Sequence, residues 1–395
     1  MNQNTDGVIP FHRPSIGVEE EEAVLRVLRS GWLTTAGEAR AFEEEFAAAV
    51  GARHAISVNS ATAGLHLALE AAGVTRGGRV ITTPYTFTSS AEVIRYLGAD
   101  PLFVDVRPDD FNIDPAGIEA ALARDGGQTR SRIQAILPVH IGGHPCAMTE
   151  IGAIAERAAL PVIEDAAHAF PATAAGRSLG TWGAAGVYSF YATKTITTGE
   201  GGMVVTDDDG LAHRMTVMRL HGIDREVWDR YTSTRPAWQY EVVEAGYKYN
   251  MPDILATIGR VQLRKADAFS ARRREIASIY LKLLGDRDYL ELPQPSAQSS
   301  WHLFMIRLRA QRLSIGRDRF VELLAERGIG TSVHYIPLHI MPYYRDRYSL
   351  KPTDFPISLD AYMRVLSLPI YPDLNDDEIA RVVETVKAIG DGALA

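Results

Sequence analysis

The sequence contains a single cysteine, Cys146, among its 395 residues. One cysteine excludes a disulfide within the chain and fits a reducing compartment, so we expect a cytoplasmic protein. Residues 1–10 have neither the basic segment nor the apolar segment of a signal peptide. Long apolar runs are also lacking, and none reaches the length that spans a bilayer, so no membrane partner is expected.

An excess of basic residues is missing too. Asp and Glu number 49 against 41 Lys and Arg, which gives a formal net charge of −8. Proteins that bind nucleic acids usually carry a basic patch or stripe, so this balance argues against a nucleic-acid partner. A ligand that bears phosphate would have to be held locally, by backbone amides and a few cationic side chains.

Lysine is scarce, since six of the 41 basic residues are lysines and none precedes Lys194. Lys194 lies in a polar turn between two predicted strands, 187–190 and 202–206. A guanidinium stays protonated, whereas an amine partly withdrawn from water can lose its proton and form an imine. A lone lysine near a turn is more often a solvated surface charge, so the neighbouring motifs have to decide.

Helical and strand patterns alternate from about residue 40 to residue 206. Strands are predicted at 54–58, 79–83, 102–106, 133–139, 161–164, 187–190 and 202–206. This alternation predicts an α/β fold with a mostly parallel central sheet and helices on both faces. Ligands bind beyond the carboxyl ends of such strands. The side chains predicted at that edge are Asn59, Ser60, Thr83, Asp105, His140, Asp165 and the turn from Ser189 to Lys194.

The pattern changes after residue 207. A long helix is predicted from Asp253 to about Leu284, followed by a strand at 302–308, a helix at 317–327, a strand from Thr331 to Tyr335 and a final helix at 376–389. The chain is long enough for two domains. We predict a large domain at 1–255 and a smaller α+β domain at 256–395, which the long helix connects.

One motif has the form of an anion site. Residues 57–64 run from a strand directly into a helix, with Ser60 as the N-cap. Thr62 and Ala63 are then expected to present free backbone N–H groups to a phosphate. The alternative is a capped helix without a ligand. The motif lacks the glycine pattern of a dinucleotide site, which disfavours a nicotinamide oxidoreductase.

Further side chains fit a planar, phosphorylated cofactor. Asp165 could pair with a heteroaromatic N–H⁺, His168 could contact a ring substituent, Phe87 could lie flat on the ring and Ser189 could donate to the phosphate. Taken singly, each has a structural alternative as a helix cap or a core residue. The histidines 140, 144 and 168 lack compact metal-ligand spacing, so no metal is expected. Together with Lys194 the set matches what pyridoxal phosphate requires.

Several motifs carry a resemblance that covers nearly the whole chain. They include residues 59–65 (NSATAGL), 164–168 (EDAAH), 189–194 (SFYATK), 198–202 (TGEGG), 246–253 (GYKYNMPD) and 333–339 (VHYIPLH). The chain resembles the DegT/StrS family of nucleotide-sugar aminotransferases, which are fold-type I pyridoxal phosphate enzymes.

The resemblance implies a role for each cofactor residue. Lys194 would form the Schiff base and carry the proton between the cofactor and the sugar carbon. Asp165 would pair with the pyridine nitrogen, Phe87 would stack on the ring and His168 would lie beside the ring oxygen. The implied phosphate contacts are Ser60, Ala61, Thr62, Ser189 and, from a second subunit, Asn250. A homodimer with composite sites follows, and the Trp- and Tyr-rich stretch 228–249 is expected at its interface.

The resemblance also bears on the substrates. Glutamate is the implied amino donor and a nucleotide-linked keto sugar the acceptor. Residues 60–64 and 246–250 are similar to synthases of UDP-4-amino-4-deoxy-L-arabinose, whereas residues 334–339 are similar to enzymes of 4-keto-6-deoxy hexoses. We therefore expect a UDP- or dTDP-linked 4-keto sugar. The candidate substrate contacts are Arg13, Trp32, Lys248, His334, Tyr335 and His339.

Other functions stay open at this point. A 3-keto sugar could be the acceptor, or the protein could be a catalytically silent regulatory member of the family. A pyridoxal phosphate lyase or an amino-acid aminotransferase would share the cofactor residues but not the motifs at 246–253 and 333–339. Fold alone does not separate these activities.

Overall fold

The structure is a computed structural model that describes residues 7–125, 132–224 and 240–394. Of the aromatic stretch 228–249 expected at an interface, residues 228–239 lie outside these ranges. Within them, no helix combines the length and the apolar character needed to cross a bilayer.

Helices and strands alternate through the first half of the chain. The helices are α1 (Val18–Ser30), α2 (Gly37–Val50), α3 (Ala61–Ala71), α4 (Ser89–Tyr96), α5 (Pro115–Asp125), α6 (Met148–Ala158) and α7 (Asp209–Met218). The strands are β1 (His54–Val58), β2 (Arg79–Thr82), β3 (Asp100–Phe103), β4 (Ile133–Ile136), β5 (Ile163–Asp165), β6 (Thr173–Ala174), β7 (Arg177–Ser178), β8 (Ala185–Ser189) and β9 (Gly202–Thr206).

Seven of these strands lie side by side. Their order is β1-β9-β8-β5 on one side and β4-β2-β3 on the other, and bridges from Ile136 to Val162 and from Val139 to Asp165 join the two groups. β9 is antiparallel to both of its neighbours, while the pairs β5–β8, β2–β3 and β2–β4 are parallel. The predicted mostly parallel sheet is confirmed.

Both faces of this sheet are covered. Val187 and Val204 pack in one buried cluster with α3 and α7, whereas Tyr188 and Met203 pack in another with Phe42 of α2. Successive residues of a strand point to opposite faces, so β8 and β9 contribute to both clusters and contain almost no polar residue. The prediction of helices on both faces is therefore also confirmed.

The second half is built around α8 (Asp253–Leu284) and a three-stranded antiparallel sheet. The sheet has the order β10 (Leu290–Glu291), β11 (Phe304–Leu308) and β12 (Val365–Leu368), and the helices around it are α9 (Arg317–Glu326), α10 (Pro342–Tyr348), α11 (Pro356–Arg364) and α12 (Asp376–Gly392). α8 packs Phe269 against the first sheet and Tyr280 against the second. The domain boundary at residue 255 stays a prediction.

Two predicted strands need correction. Residues 331–335 are not a strand: among the described residues they form one isolated bridge, from Ser332 to Ser367 at the outer edge of β12, and no ladder. The strand predicted at 102–106 is β3 and ends earlier, at Phe103, although Val104 and Val106 are buried beyond it. Val104 and Val106 are apolar because they are buried in the core, not because they belong to a strand.

Candidate active site

Lys194 lies in the return between β8 and β9, where its backbone N–H donates to the carbonyl of Tyr191 at 2.9 Å. The side chain is half-buried, and no described residue forms a hydrogen bond with its amine. Burial lowers the pKa of Lys194 from 10.5 to about 8, although the charge of Asp165 acts in the opposite direction. The amine is thus available as a nucleophile at a pH where an exposed lysine is protonated.

β5 ends in two carboxylates with different roles, because neighbouring side chains of a strand face opposite sides. Glu164 accepts hydrogen bonds from backbone N–H groups at 180, 182 and 183 and from His140 Nε2, at 2.6–3.0 Å. It is fully buried and holds the loop that follows β7. The other carboxylate, Asp165, is the one with electrostatic contact to Lys194.

Two donors orient the Asp165 carboxylate. Ser90 Oγ donates to Oδ2 at 2.7 Å, and the backbone N–H of Ala167 donates to Oδ1 at 3.2 Å. Ser90 also shares a hydrogen bond of 2.8 Å with Thr86 Oγ1. Burial raises the pKa of Asp165, while the bond from Ser90 and the charge of Lys194 lower it. Ser90 was not predicted, and its only signal was the polar run at 86–90.

His168 is held in one tautomer by its neighbours. Its Nδ1 accepts from the backbone N–H of Gly142 at 3.2 Å, so the proton is assigned to Nε2, which lies 3.0 Å from Tyr335 Oη. The two rings are stacked at 6.0 Å with an interplanar angle of 15°. Burial, aided by the charges of Lys194 and His334, lowers the pKa of His168 well below its usual value. The ring is therefore neutral.

The loop at 333–336 contributes two candidate side chains. His334 Nδ1 lies 2.8 Å from Ser367 Oγ, and Tyr85 Oη donates to the His334 carbonyl at 2.5 Å. The ring of Tyr335 lies 6.4 Å from that of Phe87, which is 59% exposed. Phe87 is thus a large aromatic side chain left open beside Tyr335, which itself contacts His168.

The start of α3 has free backbone N–H groups as predicted, with one correction to which residues supply them. Ser60 Oγ accepts from the backbone N–H of Ala63 at 3.1 Å, so this N–H is not free. The N–H groups of Ala61 and Thr62 have no acceptor among the described residues and are the available donors. Two donors at a helix N-terminus suit a phosphate.

The strand register brings Ser189 to the same place. Gly202 pairs with Val58 on one side and with Ser189 on the other. A Cβ atom at Gly202 would lie 2.7 Å from the nitrogen of Ala61, so only glycine lets β9 approach the start of α3 this closely. Ser189 therefore lies one strand away from the free N–H groups.

Asn250 and Lys248 interact with each other within the chain. Lys248 Nζ donates to Asn250 Oδ1, and Asn250 Nδ2 donates to Thr35 Oγ1 at 2.7 Å. Asn250 also forms a backbone bridge with Val58, at the end of β1. Lys248 is exposed, whereas Asn250 is 9% exposed.

The remaining candidates lie in different places. Arg13 is exposed and lines a small cavity together with Lys194. Trp32 is half-buried in the loop after α1. His339 is fully buried, with Nε2 donating to the carbonyl of Pro352 at 3.2 Å and its ring 5.0 Å from Phe355. The structure brings Arg13 to Lys194 and does not bring His339 there.

Asp105 was expected at the ligand edge, and the structure gives it another role. Its carboxylate accepts from the backbone N–H groups of Ile357 and Ser358 at 2.9 and 3.0 Å, and from Ser358 Oγ. It therefore caps the first turn of α11 and connects the two halves of the chain. In the described parts of the chain, no three His, Cys, Asp or Glu side chains are grouped as metal ligands.

The donors and acceptors present fit pyridoxal phosphate. Ala61 and Thr62 offer two free N–H groups for the phosphate, and Lys194 offers an amine that no other group occupies. Asp165 offers an oriented carboxylate for a pyridinium, and Phe87 an open aromatic face. These groups are complementary to the aldehyde, the ring and the phosphate of the cofactor.

Comparison with known proteins agrees with this chemistry. Residues 14–387 match the DegT/DnrJ/EryC1/StrS aminotransferase family. The spore coat polysaccharide biosynthesis protein SpsC of Bacillus subtilis is 43% identical over 396 positions that span 100% of both chains.

Two solved structures extend the comparison. PseC of Helicobacter pylori, an aminotransferase involved in the biosynthesis of pseudoaminic acid, has a TM-score of 0.88 at 28% identity and covers 98% of this chain and 100% of its own. Spr1654 of Streptococcus pneumoniae in its PLP-form has the same TM-score, identity and coverage. The chain belongs to the DegT/DnrJ/EryC1/StrS aminotransferase family and is a pyridoxal-phosphate-dependent aminotransferase of fold-type I.

Proposed function

We propose that the protein transfers an amino group from L-glutamate to a nucleotide-linked 4-keto sugar, in the biosynthesis of an amino sugar for a cell-surface polysaccharide. The observation that carries this proposal is the unpartnered amine of Lys194 beside the oriented carboxylate of Asp165. A regulatory family member without activity would have no need of this pair. SpsC belongs to spore coat polysaccharide biosynthesis and PseC to pseudoaminic acid biosynthesis, and these two relatives support a sugar substrate.

The chain's own residues divide the work. When bound, pyridoxal phosphate supplies an electron sink for a carbanion at the carbon that bears nitrogen. Lys194 Nζ, with a pKa near 8, can take a proton from that carbon and return one to the sugar carbon. Asp165 would hold the protonated ring nitrogen of the cofactor, and the neutral ring of His168 directs its Nε2 proton toward Tyr335 Oη.

The nucleotide sugar is expected at the open side of the site. Its diphosphate requires cations. Arg13 lines a cavity together with Lys194, and Lys248 donates to Asn250. Both basic side chains are exposed. We assign Trp32, His334 and Tyr335 as further candidate contacts of the sugar nucleotide. His339 would reach such a ligand only after rearrangement, because Pro352 holds its ring in the buried position.

A homodimer with composite sites is part of this proposal. A groove of about 540 Å³ lies against the Lys194 loop, and its walls include Pro14, Ile16, Leu25 and Ile258 with residues 197–199. Exposed apolar side chains extend from it along α1, among them Val18 and Leu28. Contiguous apolar surface of this kind marks interfaces, and a second copy here would lie next to Lys194.

One experiment tests the proposal. UDP- and dTDP-linked 3-keto and 4-keto sugars are offered with L-glutamate, and the return of the cofactor absorbance after amino transfer is followed. Turnover of a 4-keto sugar is the expected result. Turnover of 3-keto sugars alone would refute the position of transfer, and turnover of free keto acids alone would refute the sugar substrate.

The same protein is reduced with borohydride and digested. Pyridoxyl mass on the peptide that contains Lys194 is expected. A label on Lys248, or no label, would contradict the role of Lys194 and favour the catalytically silent alternative.

A further inference from the structure

Arg273 of α8 is completely buried, which is rare for an arginine. Its Nη1 donates to the carbonyl of Ile370 at 2.7 Å and lies 3.3 and 3.5 Å from those of Trp301 and His302. Nε and Nη2 have no partner among the described residues. Buried guanidinium nitrogens without acceptors are costly, so a missing acceptor is expected for them.

Among the residues that the structure describes, no acidic side chain neutralises this guanidinium. Burial lowers the pKa of Arg273 to about 10, and no carboxylate acts against that effect. Buried charges are normally paired with an opposite charge or bound to a ligand. Arg273 is therefore a cation without a counter-ion from the described part of the chain.

Arg273 and Lys194 line the same small cavity. A cavity of about 10 Å³ is lined by Arg273, Lys194, His12, Arg13 and Gln262, and none of its wall residues is acidic. This volume accommodates a group the size of one water molecule or one carboxylate oxygen. The exposed side chain of Arg13 lies at its outer end, where a larger molecule could extend.

The polar neighbours in the cavity cannot satisfy Arg273. Gln262 Oε1 already accepts from the backbone N–H of Thr197, and its Nε2 donates to Ser15 and Glu20. His12 Nε2 lies 3.1 Å from the carbonyl of Ala192. Burial and the charge of Arg273 lower the pKa of His12 to about 3, so this ring is neutral. The cavity is thus cationic and lacks an anion.

We propose that the free Nε and Nη2 donors of Arg273 hold one carboxylate oxygen of the amino donor while the donor's amino group is presented to the Lys194 site. Hydrogen bonds from a guanidinium to a carboxylate oxygen are charge-assisted and therefore strong. The inference rests on the proposed function, because it names the cation that an amino-acid donor requires. A keto sugar has no carboxylate, so Arg273 acts in one half of the reaction only.

The binding test uses glutarate, a dicarboxylate without an amine, and the cofactor-loaded protein. Loss of a hydrogen bond to a charged group is expected to raise the Kd for glutarate about 10- to 100-fold in Arg273→Lys. Arg317→Lys is the matched control, because Arg317 is also buried and its Nη1 donates to the carbonyls of Tyr362 and Val365 at 3.0 Å. The Kd of this control is expected to stay within about twofold.

The kinetic test separates the two half-reactions. With Arg273→Lys, KM for L-glutamate should rise while amino transfer from the pyridoxamine form to the keto sugar keeps its rate. Equal losses in both halves would mean that Arg273 is only structural and would overturn the inference. If the wild-type protein performs neither half, the proposed function fails, and the glutarate measurement still decides the role of Arg273.

A measurement on the wild-type protein covers the case in which Arg273→Lys does not fold. Glutarate is expected to bind more tightly than its neutral diamide. A crystal structure with glutarate should place one carboxylate oxygen within hydrogen-bonding distance of Nε or Nη2. Equal affinity for the diamide, or a carboxylate bound elsewhere, would overturn the inference.

Discussion

Ser90 Oγ donates a hydrogen bond of 2.7 Å to Asp165 Oδ2, between residues that are 75 positions apart in the chain. The bond fixes one oxygen of the Asp165 carboxylate and stabilises its charged form against the effect of burial. Ser90 is itself fully buried at the start of α4. The orientation of the Asp165 carboxylate at the end of β5 thus depends on a side chain at the start of a helix.

Ser90→Ala should weaken the binding of pyridoxal phosphate. Removal of a hydrogen bond to a charged group costs about 1.5–3 kcal/mol, which corresponds to a Kd raised about 10-fold or more. The Kd is measured by titration of the apo-protein, with Ser89→Ala as control and Ser90→Thr as the variant that restores the donor. Equal Kd values for Ser90→Ala and wild type would show that Ser90 does not orient Asp165.

The amine of Lys194 should titrate at a lower pH than an ordinary lysine. In the apo-protein its acetylation by acetic anhydride is expected to rise to a plateau through a midpoint near pH 8. Because the charge of Asp165 raises the pKa of Lys194, Asp165→Asn should move the midpoint to lower pH. Mass spectrometry reads the label on each lysine, and exposed Lys351 is the control in the same sample. A midpoint near 10.5 would contradict the partly desolvated amine.

Gly202→Ala should damage the phosphate site and the fold together. The added Cβ would meet the backbone of Ser60 and Ala61 at 2.7–2.9 Å, and backbone cannot move aside as a side chain can. Overpacking of this kind costs about 1–3 kcal/mol in the free energy of unfolding. Gly152→Ala, on α6 with no atom within 4 Å, is the control and should be neutral or stabilising. Urea unfolding and the Kd for the cofactor measure both effects.

The apolar groove beside Lys194 should be covered by a second copy of the chain. Leu25→Glu places a charge in its wall and should shift the protein toward monomers with reduced activity. Met363→Glu, which alters a similarly exposed side chain on α11, should leave the dimer intact. Light scattering gives the mass of each variant. An active wild-type monomer would refute the composite site.

Subunit mixing gives the dimer an independent test. Lys194→Ala and Asn250→Ala proteins are each expected to be nearly inactive. If Asn250 serves the neighbouring site, a mixed dimer has one site with both residues intact, and some activity should return. No recovery after confirmed subunit exchange would place Asn250 in the site of its own chain.

Local patterns in the sequence determined much of this protein. Asp165 ends one buried strand, Lys194 lies in the loop after another, and Ser60 caps a helix. Periodicity and capping rules were therefore sufficient to predict all three at the ligand-binding edge of the sheet. The correct long helix from Asp253 to Leu284 and the mostly parallel sheet follow from the same signals. Such features depend on residues that are near one another in the chain.

Tertiary structure alone decided which distant residues meet. Asp105 caps α11 instead of facing a ligand, and residues 331–335 form a loop with a single bridge to β12 instead of a strand. The pairing of Ser90 with Asp165 and the unpaired guanidinium of Arg273 depend on strand order and on burial from several elements at once. Propensity and periodicity act over one or two turns, so they contain no information about such partners.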